Sequence, residues 1–103
     1  MFKSIISWDI YEIKAKSSPI TEAMLRGRIR KFCLDNNRNI LVENAEDSEN
    51  TVRFAVPFGE DIASIKKYLE SIFFDLSIKK IKMKIKNPVL SKIKVNLEDR
   101  YTL

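Results

Sequence analysis

Apolar positions along the chain switch between a period of two, the mark of a strand, and a period near 3.6, the mark of a helix. Residues 2–13 are rich in β-branched and aromatic side chains. They place Phe2, Ile6, Trp8 and Ile10 on one face and Lys3, Ser7, Asp9 and Tyr11 on the other, which predicts a first strand. Ser17, Ser18 and Pro19 then supply a helix start, because a hydroxyl caps free amides and proline is tolerated in the first turn. In that helix Leu25, Ile29, Phe32 and Cys33 share one face, with Arg26, Arg30 and Lys31 opposite. Gly27 within it reads as a close backbone approach or a weak point. Asp35, Asn36, Asn37 and Asn39 form the exit.

Residues 39–43 predict a second strand and 51–56 a third, in which Val52, Phe54 and Val56 share a face with Arg53 opposite. The polar link 44–50 is a hairpin loop, and Pro57, which lacks a ladder amide, ends the third strand. Gly59, Glu60 and Asp61 open a second helix whose stripe is Ile62, Ile65, Leu69, Ile72 and Phe73. Phe74 is expected to seal the end of the core, a dimer contact being the alternative. A lysine-rich strand follows: Ile81, Met83 and Ile85 alternate with Lys80, Lys82, Lys84 and Lys86. After Pro88, residues 92–97 are a candidate for a short fifth strand.

Strand, helix, strand, strand, helix, strand is the ferredoxin-like βαββαβ order, an α+β sandwich with two helices on one face of a four-stranded antiparallel sheet. Residues 1–103 are read as a single domain, since no linker or repeat divides them. Two helices cover only one sheet face. They are expected over the Ile81, Met83 and Ile85 side, leaving the even-numbered lysines on an open, wet face.

An apolar content of 45% with 32% charged residues describes an ordered globular chain. Histidine is absent and Cys33 is the only cysteine, which excludes an internal disulfide, thiolate or imidazole zinc sites, and Cys-His or Ser-His-Asp catalysis. No apolar run approaches the roughly 18 residues of a membrane span. Residues 1–10 lack the pattern of a signal peptide, so the expected location is cytoplasmic, with no membrane partner.

Charge is distributed unevenly. The 22 residues 76–97 hold seven lysines and no acid, a formal charge of +7, whereas the remainder of the chain carries −2. Lys80, Lys82, Lys84, Lys86, Lys92 and Lys94 are therefore candidate phosphate contacts. Arg53, Arg26 and Arg30 are candidate additions to that surface. The competing explanation is a solubilising edge strand, on which lysines discourage pairing with other chains.

Asp9 is the candidate for chemistry, because a carboxylate near the end of the first strand can hold a hard divalent cation such as Mg2+ or orient a water. A lone carboxylate is a poor metal site, so two copies of Asp9 would have to meet across a dimer axis. The alternative is a salt bridge from Asp9 to lysines of a neighbouring strand. Ile5, Ile6, Ser7, Trp8, Asp9 and Ile10, with weaker matches at Leu25, Arg26 and Ile29 and over 51–57, resemble the small ferredoxin-like ribonucleases. That group includes the CRISPR adaptation endoribonuclease, the VapD toxins and the GhoS antitoxin. The resemblance implies a homodimer, a basic nucleic-acid surface and, in active members, a metal-dependent cut using the residue that Asp9 matches.

Two expectations from different classes follow. The first is a nucleic-acid-associated protein that binds RNA or DNA backbone through the lysine face, with endoribonuclease activity as an extension of it. The second is a non-enzymatic module that docks on an acidic protein surface. Phe54 faintly resembles a base-stacking aromatic of RNA-recognition domains, but it shares its face with Val52 and Val56 and reads as core.

Overall fold

Six elements follow one another in the predicted order: β1 (Ser7–Ala15), α1 (Leu25–Asp35), β2 (Leu41–Asn44), β3 (Thr51–Pro57), α2 (Ala63–Ile72) and β4 (Leu76–Lys86). They come from a computed structural model that describes residues 6–92. Lys94, residues 2–5 and most of the candidate fifth strand lie outside the described residues. The sheet order is β2-β3-β1-β4 with every neighbouring pair antiparallel, which makes the fold a ferredoxin-like βαββαβ sandwich. Each helix thus joins two parallel strands that have a third strand between them.

The main core lies between the sheet and the helices. Leu25, Ile29 and Cys33 of α1 and Ile65 and Leu69 of α2 pack on Tyr11, Ile13, Val42, Val52, Phe54 and Val56. Phe54 is core, as its position beside Val52 and Val56 predicts, and stacks on Tyr11 with centroids 5.1 Å apart. Phe32 and Tyr68 stack at 4.4 Å where the helices meet. Burial pushes the Cys33 thiol above its ordinary pKa, as expected of a core cysteine.

Four local expectations are corrected. The first helix starts at Leu25, not at Pro19: the chain turns through residues 20–24, and Met24 stands in the left-handed region at φ 61°. The Ser17 and Ser18 hydroxyls instead bind Asp75. Gly27 has open space around it, since an added Cβ would meet nothing within 4 Å, so it marks no close approach. Phe74 is 92% exposed and lies outside the core that holds Phe73.

The fourth correction concerns β4. Regular alternation would put Ile81, Met83 and Ile85 under the helices, but two register shifts against β1 break it. Tyr11 pairs with Lys80 and Ile10 with Lys82, so Ile81 is an extra residue; Trp8 pairs with Ile85, which leaves another extra residue at 83–84. Lys84 takes the left-handed conformation there, at φ 57°. The helix side of β4 is consequently Leu76 and Ile78. Ile81 and Ile85 join Trp8, Ile10, Ala55 and Leu90 in a second cluster, and Met83 is 54% exposed.

That second cluster sits on the sheet face expected to be wet. The chain turns at Asn87, in the left-handed region at φ 50°, and Pro88, then returns to bury Leu90 against Ile10 and Ala55. Ser91 carbonyl accepts from Glu46 N–H at 2.7 Å, which ties the returning segment to the β2–β3 loop. The first strand therefore contributes to two cores, with Tyr11 and Ile13 on the helix side and Trp8 and Ile10 on the other.

Candidate functional site

Among the described residues β4 is an edge strand with only β1 beside it, and it carries five lysines and no acid over its 11 residues. Lys79, Lys80, Lys84 and Lys86 are exposed, and Lys82 is half-buried. The register shifts distribute them. Lys80 stands opposite Tyr11, its Nζ 5.7 Å from the ring centroid and 3.8 Å from Asp9 Oδ2, whereas Lys79 and Lys82 stand opposite Glu12 and Ile10. The lysines thus form a ridge that follows the edge strand and points to both faces of the sheet, not a flat row on one face. Among the described residues Lys79, Lys82, Lys84 and Lys86 have no carboxylate partner. Every other element that carries lysine also carries an acid.

Asp9 lies near the beginning of β1, not near its end, and is 1% exposed. Its Oδ2 accepts from Gly59 N–H and its Oδ1 from Lys84 N–H, both at 3.1 Å. Lys80 completes the ion pair with a neighbouring strand that the sequence offered as the alternative to a metal site. Both carboxylate oxygens accept a backbone donor, Lys80 stands beside them, and at 1% exposure the group presents no open face to solvent. No cluster of three acidic, cysteine or histidine ligands occurs among the described residues. What the geometry does provide is anchorage: one carboxylate pins both the Gly59 turn, at φ 87°, and the strained Lys84 position. Hydrogen bonds to a charged acceptor of this kind contribute about 1.5–3 kcal/mol.

Arg53, predicted as a backbone-phosphate contact, is 4% exposed and cannot serve as one. Its Nε donates to Glu12 Oε2 at 2.9 Å, while Nη1 reaches Asp47 Oδ1 at 2.8 Å and Leu90 carbonyl at 3.0 Å. It clips the acidic hairpin loop and the returning 88–91 segment to the sheet. Arg26 pairs with Glu43 at 3.3 Å and Arg30 donates to Val42 carbonyl at 3.2 Å, both beside β2. β2 is the opposite edge of the sheet, so the α1 arginines do not join the β4 lysines in one surface. Lys92 faces Glu46 at 3.5 Å.

Two aromatics near β4 in the chain or in space are exposed, Phe58 and Phe74, the second of which was expected to seal the core. Phe58, 48% exposed, follows β3 and lies under Lys84, whose Nζ is 5.5 Å from its ring centroid. Phe74 stands two residues before β4 begins. The adjacency of Phe73 and Phe74 was a signal for it, because a helix end cannot bury both. Phe58 had only its place between Pro57 and Gly59 to mark it as a turn residue.

Asp75 follows Phe74 and closes the β1–α1 link onto the start of β4. Its Oδ2 accepts from Ser17 N–H at 2.8 Å, Ser18 N–H at 2.9 Å and Ser17 Oγ at 3.2 Å, and its Oδ1 from Ser18 Oγ at 2.7 Å. The Ser18 hydroxyl, with the two serine amides, holds the carboxyl well below the usual carboxylate pKa. In comparisons with known proteins, no family model, no curated protein and no solved structure matches the chain.

Proposed function

We propose that the protein binds the phosphate backbone of nucleic acid along the β4 edge. The observation that carries this reading is the ridge of five lysines on a strand that holds no acid, four of the five having no carboxylate partner among the described residues. Ammonium groups left unpaired at a surface keep a counterion atmosphere that a polyanion can displace, which favours association. Asp9 has no place in this reading as a catalyst, because it is buried, bonded to the Gly59 and Lys84 amides and paired with Lys80. Lys79, Lys82, Lys84 and Lys86 supply the contacts, and Lys80 contributes from beside Asp9.

The test is fluorescence anisotropy of labelled oligonucleotides across a salt series. Four engaged lysines predict log K falling against log salt with a slope of about −2.8 on a single strand and about −3.6 on a duplex. Charge reversal at Lys79, Lys82 and Lys86 together should remove most of the affinity and flatten that slope. Binding indifferent to both salt and these substitutions would overturn the reading.

A second reading, an acidic protein partner, draws on the backbone edge of β4 that no other described strand pairs with, to which an extended acidic segment could add as a further strand. Pull-downs that return partners unaffected by nuclease would favour it. Homodimerisation through this same edge is disfavoured, since it would set one lysine ridge against another.

A further inference from the structure

We infer that the nucleic acid taken by the β4 edge is single-stranded, its bases stacking on Phe58 and Phe74 while the lysines between them follow its backbone. The inference rests on the proposed phosphate-binding role and adds to it the class of ligand.

The two phenylalanines flank the stretch of β4 that carries Lys79, Lys80 and Lys82, and Lys86 lies beyond Phe58. Phe74 precedes Leu76, the first residue of β4, and Phe58 lies against Lys84 near the far end. From residue 76 to residue 84 a strand spans roughly 25–30 Å, room for several nucleotides. Exposed aromatics scattered over a surface are ordinary and call for no ligand. These two differ in being held on fixed backbone. Phe58 N–H donates to Ser7 carbonyl at 2.8 Å, and the next residue, Gly59, donates to the buried Asp9 carboxylate. Phe74 is followed directly by Asp75, whose carboxylate accepts four hydrogen bonds from Ser17 and Ser18. Each ring is therefore presented without the ordering cost of a loose loop.

A positive track with aromatic platforms is the arrangement that holds single strands, because an unpaired base offers a π-face to any ring. A duplex keeps its bases stacked inside and offers the ridge phosphates alone, so the aromatics would add nothing to its binding. Lys84 over Phe58 adds a cation that can meet the phosphate next to a stacked base.

The experiment compares a 12-nucleotide single strand, as RNA and as DNA, with the corresponding duplex, using the full chain and the variants Phe74→Ala, Phe74→Tyr and Phe58→Ala. Thermal melts accompany each variant. Phe74 is exposed enough that its replacement leaves folding intact, so it remains decisive even where Phe58→Ala lowers stability. Expected are tighter binding of either single strand than of duplex, a loss of about five- to tenfold in single-strand affinity for Phe74→Ala, recovery in Phe74→Tyr and no change for duplex. Equal affinity for duplex, or single-strand affinity unmoved by Phe74→Ala while the lysine reversals still abolish binding, would overturn this inference and leave phosphate binding standing. Loss of salt-dependent binding to every oligonucleotide would instead remove the parent reading.

Discussion

The two edges of the sheet carry similar numbers of cations and use them differently. Beside β2, the four basic residues of α1 all have partners: Arg26 has Glu43, Arg28 the Ala23 carbonyl, Arg30 the Val42 carbonyl and Lys31 Asp35. On β4, among the described residues, Lys80 alone forms an ion pair with a carboxylate. A basic residue whose donors are already directed at the protein's own oxygens gives up those contacts before it can meet a phosphate. Cation count alone therefore says little about binding; the partners each cation has within the fold decide it. Arg53 is the extreme case, with two carboxylates and a carbonyl around a buried guanidinium.

The strongest way to break this contrast is at Arg53. Arg53→Leu removes the buried guanidinium that Glu12 and Asp47 face and leaves the Glu12 carboxylate without that cation, which should lower the unfolding free energy by about 3–5 kcal/mol in denaturant titration. The triple charge reversal on β4 should move it by no more than about 0.5 kcal/mol. Equal losses from both would mean that β4 lysines are structural and that the contrast fails. Next in size is Asp9→Asn. Placing an amide NH2 against the Gly59 or Lys84 donor should cost about 1.5–3 kcal/mol. Hydrogen exchange at those two amides should speed up with it, and exchange unchanged in the variant would detach Asp9 from the Lys84 bulge.

The smallest expected effect is at Asp75, on the exposed rim where the β4 ridge begins. Its folded-state pKa is depressed, so the carboxylate contributes stability above its unfolded value of about 4 and loses that contribution as pH falls through the lower folded-state value. Melting curves of the wild type and Asp75→Asn should differ by a constant amount above about pH 5 and converge as the solution becomes more acidic. A gap that widens on acidification would reverse the sign and refute the assignment of the four bonds to an ionised Asp75.

Element order and type were legible because two periods carry them. The stripe of Ile65, Leu69 and Phe73 and the alternation of Val52, Phe54 and Val56 each allow one way of facing a core. The helix start was misplaced because a hydroxyl caps whichever amides reach it, and Asp75, 57 residues from Ser18, competed successfully for both serines. The candidate site was partly legible. The β4 lysines were visible as composition, but Arg53 read as one more cation until the fold brought Glu12 and Asp47 to it.

The sequence by itself determined the ferredoxin-like order, the identity of the helix-side core in β3, α1 and α2, and the confinement of excess positive charge to the last described strand. Those follow from local periodicity and from composition, which need no knowledge of neighbours. Tertiary structure alone decided which way the lysines point, because the two bulges in β4 exist only relative to β1. It also decided that Asp9 is an anchor, that Arg53 is buried, that residues 88–91 cover part of the second sheet face, and that Phe58 and Phe74 are exposed, Phe58 against Lys84. Each of these depends on contacts between residues distant in sequence, and such contacts leave no period in the chain.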